Sequence, residues 1–188
     1  MKKIYRDYGK RLMDIVVGLI GTTVFLISYI FVAPLILLKD GRPVLYKAKR
    51  RGKRDNVFEM YKYRTMYVNA PDIRNADNST FNGKNDPRVT KIGRILRETS
   101  LDEIPQFLNV LKGDMSFIGP RPNVPSIPYA EIPENEKRRL EVKSGITGYT
   151  QAYYRNAITR EERMEMDAYY AENVSFMLDM KIIFTLSC

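Results

Sequence analysis

An uncharged stretch near the N-terminus limits the possible folds more than any other feature. From Ile15 to Leu38 the chain has 24 consecutive residues without a charged side chain. As a helix this stretch would be roughly 36 Å long at about 1.5 Å per residue, which exceeds a ~30 Å hydrocarbon core. It is too long for the apolar part of a cleavable signal peptide, and no small-residue cleavage site follows it. We therefore predict a membrane-inserted helix.

Positive charge flanks the apolar stretch on both sides. Five basic residues precede it and eight follow it within residues 39–54. Positive charge marks the cytoplasmic side, so a single span would violate this rule at one end. A re-entrant helix, which bends and returns to the same face, satisfies the rule at both ends and is our prediction, with a spanning helix as the alternative. Residues able to permit a bend are Gly18, Gly21 with Thr22-Thr23, Ser28 and Pro34.

Composition restricts the chemistry that the chain can perform. It has no His, so acid–base or nucleophilic chemistry must come from Asp, Glu, Tyr, Lys or water. Cys188 is the single cysteine, which leaves neither a disulfide nor a thiolate metal site. A bound metal would therefore be a hard, oxygen-liganded ion such as Mg²⁺. The formal charge of +9 indicates an anionic partner, which could be nucleic acid, an acidic membrane surface or a phosphorylated substrate.

The remaining chain alternates short strand and helix patterns, so we predict an α+β fold. Residues 1–39 form the basic N-terminus with its membrane helix, and residues 40–188 form a second, mainly helical domain. Residues 113–133 contain five prolines and are predicted to be irregular, and residues 144–148 a turn. The predicted elements are a β-hairpin over residues 44–63, a loop over 67–87, and helices over 90–97, 101–112, 134–142 and 159–172. The last of these begins with a Thr159/Glu162 capping box.

A final helical segment carries one apolar face. Its members recur at helical spacing and are Phe176, Met177, Met180, Ile183 and Phe184. In a soluble protein such a stripe is usually core, whereas beside a membrane anchor it could equally lie in the membrane interface. The sequence leaves both interpretations open.

An acidic pair in the segment Ser100-Leu101-Asp102-Glu103-Ile104-Pro105-Gln106 stands out within this basic chain. Asp102 and Glu103 fall in the first turn of the predicted helix over residues 101–112. Unpaired backbone N–H groups there favour an ionised carboxylate, so we expect Asp102 to be an anion. The alternative is structural, because Ser100 and Glu103 also fit a capping box.

Several motifs together resemble those of the bacterial sugar transferase family, the monotopic phosphoglycosyl transferases. The resemblance runs in order from about Lys10 to Lys181. Its motifs are Lys62-Tyr63-Arg64-Thr65-Met66, Asp86-Pro87-Arg88-Val89-Thr90, the Ser100–Gln106 segment, Asn109-Val110-Leu111-Lys112-Gly113-Asp114-Met115-Ser116 and Gly119-Pro120-Arg121-Pro122.

This resemblance implies an enzyme at the cytoplasmic face of the bacterial inner membrane. It would move a phosphosugar from a UDP-sugar to polyprenyl (undecaprenyl) phosphate, the first membrane step of glycan assembly. Asp102 would be the nucleophile, giving a covalent phosphosugar intermediate and ping-pong kinetics. Glu103 would accept a proton or help Asp102 to hold Mg²⁺. The implied partners are the UDP-sugar, the polyprenyl phosphate and the phospholipid membrane, without nucleic acid.

Other positions complete the predicted site. We predict phosphate-binding roles for Lys62, Arg88 and Arg121, because Arg suits bidentate phosphate contact. Asp167 and Tyr170 match a later family motif and are substrate-binding candidates, with a structural role as the alternative. The chain departs from the family at Leu26–Tyr29, where a Ser-Pro break is common, and at residues 153–156, where a Gly-containing stretch is common.

Two further functions remain open at this point. A non-catalytic, membrane-tethered module could use the basic surface to hold nucleic acid or anionic lipid. A degenerate scaffold could bind a UDP-sugar without turnover. Neither the transferred sugar nor the oligomeric state follows from the sequence.

Overall fold

The N-terminal part of the chain is one long helical segment. The computed structural model describes residues 4–73, 81, 83, 85–154 and 158–186. A π-helical turn, Tyr5–Gly9, continues directly into helix α1, Lys10–Lys39. Among the described residues, Tyr5–Lys39 is the one segment long and apolar enough to cross a membrane. The predicted apolar helix is thus confirmed. It is continuous through Ser28 and Pro34, and the re-entrant topology stays a prediction.

One face of α1 packs against the rest of the chain along nearly its whole length. At its start, Lys10 Nζ lies 2.8 Å from Asp179 Oδ2, and near its end Ile36 is fully buried. Between them, the Phe25 ring packs 5.9 Å from the ring of Tyr63. The opposite face exposes large apolar side chains: Leu12, Val16, Leu19, Ile20, Val24, Ile27, Ile30, Phe31, Leu35 and Leu38.

Two glycines permit this close approach. Gly18 lies against the backbone of Leu111, where a Cβ would come within 3.2 Å of the Leu111 amide nitrogen. A Cβ at Gly21 would overlap the ring of Phe107. Small residues at these two positions therefore bring α1 against the helix that follows the acidic pair.

The predicted hairpin is confirmed. Strand β1, Leu45–Arg51, pairs antiparallel with β2, Val57–Tyr63, from Leu45 opposite Tyr63 to Arg51 opposite Val57. A 3₁₀ turn, Lys53–Asp55, connects them. Because directly opposite residues share a face of a two-stranded sheet, alternate positions of both strands point to one side.

The described part of the chain contains six further α-helices: α2 Lys91–Glu98, α3 Gln106–Lys112, α4 Glu134–Arg139, α5 Tyr149–Tyr153, α6 Arg160–Glu172 and α7 Phe176–Leu186. Thr90 caps α2 by accepting a hydrogen bond from the Gly93 amide. The Thr159/Glu162 capping box is present at the start of α6. Of the predicted loop over residues 67–87, residues 74–80, 82 and 84 lie outside the described part of the chain, as do residues 155 and 156 of the departing segment.

A second, parallel sheet corrects the prediction of irregular structure and a turn. Strand β3, Ser116–Ile118, pairs with β4, Gly145–Thr147. Each strand has three residues and its partner lies far away in sequence, so local pattern gives little sign of it. Gly145 is required here, since a Cβ at this position would overlap the backbone of Gly119.

Three of the five members of the α7 stripe face outward, whereas Met180 and Ile183 are half-buried and Ile183 packs against the core. The buried residues of α7 are Asp179 and Ile182, whereas Phe176, Met177 and Phe184 are exposed. The ring of Tyr5 contacts that of Phe176, so this stripe begins beside the N-terminal end of α1. The structure therefore favours the membrane-interface interpretation over the core interpretation.

Candidate active site

The acidic pair lies in a tight turn before α3. Ser100 adopts a left-handed conformation with φ of 56°, and residues Leu101–Glu103 form a 3₁₀ turn. The α-helix begins only at Gln106, after Pro105. Ser100 makes no capping hydrogen bond, so the predicted capping box and the continuous helix over residues 101–112 are wrong. The turn aims both carboxylates at the hairpin instead.

Lys62 joins the two carboxylates. Its Nζ donates a hydrogen bond to Glu103 Oε1 at 2.6 Å and lies 3.6 Å from Asp102 Oδ2. Lys62 is the second-last residue of β2, and the rigid antiparallel pairing of the hairpin fixes its position. The structure thus brings together three of the predicted site residues: one cation and two adjacent carboxylates.

The environment of Asp102 differs from the expectation of a readily ionised helix-start carboxylate. Its side chain is largely buried, and this desolvation raises the pKa of Asp102 above its usual value. The ammonium of Lys62 acts in the opposite direction and lowers that pKa. The result is a poorly solvated carboxylate whose charge depends on one lysine, a common arrangement for a reactive group.

A small, open cavity lies beside the pair, and Lys62 and Glu103 line it. Arg50 of β1 and Arg121 of the turn after β3 also line this cavity. Within the described part of the chain, neither guanidinium has a hydrogen-bond or ion-pair partner. Burial and the nearby Arg121 lower the pKa of Arg50. Such groups would bind an anion, and two guanidiniums with one ammonium suit a diphosphate.

Arg50 was missed by the sequence analysis. Alternation along the hairpin could have identified it, because Arg50 faces Phe58 across the strands. Residues 46, 48 and 50 therefore share a face with residues 58, 60 and 62. Once Lys62 is assigned to the site, Arg50 is the second cation on the same face.

Arg88, a predicted phosphate ligand, lies outside this cavity. Its guanidinium is buried and pairs with Asp86, with Nη2 at 2.7 Å from Asp86 Oδ2. It also donates to the Phe81 carbonyl oxygen at 2.8 Å and to those of Pro71 and Ile73 at 3.4 Å. These contacts anchor the segment after β2.

Asp167 and Tyr170 also lie away from the cavity, in buried hydrogen-bond networks. Asp167 accepts hydrogen bonds from Arg139 Nη2 at 2.7 Å and from Thr150 Oγ1 at 3.0 Å. The Tyr170 hydroxyl donates to Asp179 Oδ1 at 2.7 Å. The structural alternative weighed for these two residues matches their observed contacts.

Fold and site together define a class: an α+β protein with one long apolar helix and a cationic pocket beside a lysine-bridged acidic pair. The family model described as bacterial sugar transferase matches residues 5–187. The chain belongs to the bacterial sugar transferase family.

Relatives agree with this assignment. The chain is 41% identical over 175 residues to the uncharacterized sugar transferase EpsL of Bacillus subtilis (strain 168), a match that covers 93% of this chain and 83% of the relative. It is 42% identical over 184 residues to the galactosyl transferase CpsE of Streptococcus agalactiae serotype III (strain NEM316), covering 93% and 40%. It is 39% identical over 184 residues to a UDP-glucose:undecaprenyl-phosphate glucose-1-phosphate transferase of Klebsiella pneumoniae, covering 93% and 38%. The chain therefore spans about two fifths of the length of the latter two.

Proposed function

We propose that this chain transfers a phosphosugar from a UDP-sugar to polyprenyl (undecaprenyl) phosphate, as the first membrane step of glycan assembly. The observation that carries the proposal is the Asp102–Glu103 pair, bridged by Lys62 at the edge of a cavity whose two guanidiniums have no partner among the described residues. Family membership and the activity in the name of the Klebsiella relative support the same reaction class.

In the proposed first step, a carboxylate oxygen of Asp102 attacks the phosphorus that carries the sugar. The bond from this phosphorus to the bridging oxygen breaks, and UMP leaves with the electron pair. In the second step, an oxygen of polyprenyl phosphate attacks the same phosphorus, and the bond to Asp102 breaks. Glu103 accepts the proton of the incoming phosphate if it carries one. The carboxylate is restored and kinetics are ping-pong.

The residues around Asp102 support this chemistry in separate ways. Lys62 lowers the pKa of the buried carboxylate and thereby favours its ionised, nucleophilic form. Arg50 and Arg121 would hold the diphosphate and stabilise the charge that develops on the leaving UMP. Burial removes water that would otherwise solvate the nucleophile.

Mg²⁺ fits this donor set. Proteins bind it through one or two carboxylates together with substrate phosphates, so Asp102 and Glu103 with the diphosphate would suffice. The ammonium of Lys62 lies within 4 Å of oxygens of both carboxylates, which supports the proposal that the pair can hold a cation. When bound, Mg²⁺ would neutralise charge on the diphosphate.

We further propose that both ends of α1 stay at the cytoplasmic face of the inner membrane. The inner face of α1 contacts the rest of the chain from Lys10 to Ile36, a helical length of roughly 40 Å at about 1.5 Å per residue. If α1 crossed the bilayer, the charged hairpin packed against it would lie in the hydrocarbon core, and burying its charges there would cost free energy. Basic residues at both ends of α1 and the outward stripe of α7 support the same arrangement.

Turnover is tested with detergent-solubilised protein, Mg²⁺, undecaprenyl phosphate and a panel of UDP-sugars, with UMP and lipid-linked sugar diphosphate as readouts. We expect both products from at least one donor and neither from the Asp102→Asn variant. UDP-sugar binding without products from any donor would contradict the proposal and support the degenerate scaffold. Equal products from both proteins would contradict Asp102 as nucleophile.

Topology is tested by labelling single cysteines in a Cys188→Ser background. Tyr8→Cys and Arg42→Cys place exposed thiols before and after α1. In sealed inverted vesicles, an impermeant thiol reagent should label both. Protection of one site alone would establish a spanning helix.

A further inference from the structure

The chain contains two glutamines, Gln106 and Gln151, and both line the cavity of the candidate active site. They come from separate elements, since Gln106 begins α3 and Gln151 lies in α5. Neither has been given a role in the proposed chemistry above. Cations of this cavity account for phosphate binding, whereas a primary amide carries no charge and suits neutral polar groups.

Gln106 is buried without an internal partner. Only 3% of the residue is exposed, and its amide makes no hydrogen bond to any described residue. The Gln106 amide atoms are not among the fully shielded, unpaired atoms of the described residues, so the amide keeps contact with solvent and is open to a ligand at the cavity it lines. Neighbouring buried amides do have partners: Asn109, one turn later, donates to the Glu59 carbonyl oxygen at 2.7 Å. Of the two buried amides on α3, Gln106 is therefore the one without a hydrogen-bond partner among the described residues.

One end of the Gln151 amide has a hydrogen-bond partner and the other end has none among the described residues. Its Nε2 donates to the Ile146 carbonyl oxygen at 3.2 Å, which fixes the orientation of the amide. Its Oε1 is buried and has no hydrogen-bond donor within the described residues. The side chain thus offers an acceptor at the cavity that only a ligand or a small side-chain rotation can satisfy.

The positions of these two amides indicate that they lie near the sugar of a bound UDP-sugar. Gln106 lies close to the acidic pair, because Glu103, the neighbour of Asp102, and Gln106 line the same cavity. If Asp102 attacks the phosphorus that carries the sugar, the group adjoining that phosphorus lies beside Gln106. Sugars present neutral hydroxyl and acylamino groups that both donate and accept. An amide can bind such groups at both of its ends.

We propose that Gln106, assisted by Gln151, hydrogen-bonds the hydroxyl or acylamino groups of the transferred sugar and thereby selects the sugar. This inference rests on the proposed transferase function. A site built to hydrogen-bond a hydroxyl discriminates strongly against an analogue that lacks it, because its own polar groups then remain unpaired. The two amides would accordingly set donor choice, while Arg50 and Arg121 would bind the part common to all UDP-sugars.

The test uses Gln106→Met and Gln151→Met, which keep the side-chain length and remove the amide. Donors are UDP-glucose, UDP-galactose, UDP-N-acetylglucosamine and UDP-N-acetylgalactosamine, with monodeoxy analogues of the best donor. The measured quantities are kcat/KM for UMP release and inhibition by UDP. Asn56→Met, which removes an exposed amide outside the cavity, is the matched control.

Wild type should lose about tenfold or more in kcat/KM when one particular hydroxyl or acylamino group is removed. Gln106→Met should lose this preference, so that native and deoxy donors become equivalent within about twofold. Inhibition by UDP should stay unchanged, and Asn56→Met should behave as wild type. Thermal unfolding of Gln106→Met should match that of wild type, because the amide has no internal partner to lose.

Three results would overturn the inference. If both Met variants keep the wild-type preference for every group, the amides do not contact the sugar. If the variants weaken UDP inhibition by the same factor as kcat/KM, they bind the nucleotide. If wild type releases no UMP from any donor, the proposed transferase function fails and this inference fails with it. The first two results leave turnover intact, which separates them from the third.

Discussion

Two clusters of charged residues in this molecule have similar compositions but different degrees of internal pairing. Arg139 and Asp167 form a buried ion pair in which each side chain is 1% exposed. Asp167 also accepts from Thr150, and Arg139 also donates to the Arg121 carbonyl oxygen at 2.6 Å. In the cavity cluster, by contrast, one lysine serves two carboxylates, and the guanidiniums of Arg50 and Arg121 have no partner in the described chain.

The difference separates scaffold from binding site. A buried charge whose hydrogen bonds are all made inside the protein has no capacity left for a ligand. The cavity cluster retains that capacity. The two clusters are also connected, because Arg139 holds the backbone of the turn that presents Arg121. Asp167 thus supports the site without lining it.

The largest expected effect is that of Asp102→Asn on turnover. Removing the nucleophile should lower kcat/KM by about 10³-fold or more. Stability should not fall: burial raises the pKa of Asp102, so the ionised carboxylate costs folding free energy at neutral pH, and that cost disappears in the amide. Product formation and thermal unfolding at pH 7 together check this. A variant that is inactive because it is unfolded would contradict the account.

Asp167→Asn should produce the opposite pattern. The substitution leaves Arg139 buried without a counter-charge, which typically costs about 3–5 kcal/mol. Chemical denaturation should show this loss, while kcat of the remaining folded protein should stay within a few-fold of wild type. A loss of turnover as deep as that of Asp102→Asn, with unchanged stability, would place Asp167 in the site after all.

Two lysines of the hairpin allow a sharper comparison. Lys62 and Lys47 both pair with a glutamate, but the Lys62 side chain is 19% exposed and lines the cavity, whereas Lys47 is 57% exposed. Lys62→Met should lower kcat/KM about 10- to 100-fold, because a hydrogen bond to a charged group contributes about 1.5–3 kcal/mol. Lys47→Met should leave it unchanged, since exposed pairs contribute little. If Lys62→Met and Lys47→Met lowered the rate of UMP release equally, Lys62 would have no special role at the cavity.

The smallest expected effect is a shift in pH dependence. Asp102 attacks as the anion, so kcat/KM should rise with pH as Asp102 ionises. Burial raises the pKa of Asp102 and Lys62 lowers it. Removal of Lys62 should therefore move the acid limb of the kcat/KM profile, the rise of kcat/KM with pH, to higher pH. Lys47→Met should leave the limb in place. An acid limb that moves to lower pH in Lys62→Met would contradict the assigned electrostatics.

Sequence reasoning succeeded where the determinants are local. The hairpin follows from β-type runs around a polar turn, and α6 from its Thr159/Glu162 capping box. It failed for β3 and β4, whose pairing joins residues about 30 positions apart through three-residue strands. It also failed at Ser100, where a left-handed residue redirects the turn that a capping pattern predicts to be a helix start.

Within the site, motif resemblance indicated which residues matter more reliably than it indicated what they contact. Lys62, Glu103 and Arg121 line the cavity, and Asp102 adjoins it. Arg88 instead pairs with the buried Asp86, and the Asp-Pro-Arg sequence alone does not reveal this ion pair. Gln106 was noted only as the end of the Ser100–Gln106 motif and Gln151 not at all, because an amide without a partner is visible only once its surroundings are known.

The most direct test of the account is intact-protein mass spectrometry after mixing the protein with Mg²⁺ and each UDP-sugar, without polyprenyl acceptor. The account predicts a gain of one phosphosugar mass on wild type and none on Asp102→Asn, with release of one UMP per adduct. An adduct on both proteins, or full turnover by wild type with no adduct in the absence of acceptor, would contradict Asp102 as the covalent nucleophile.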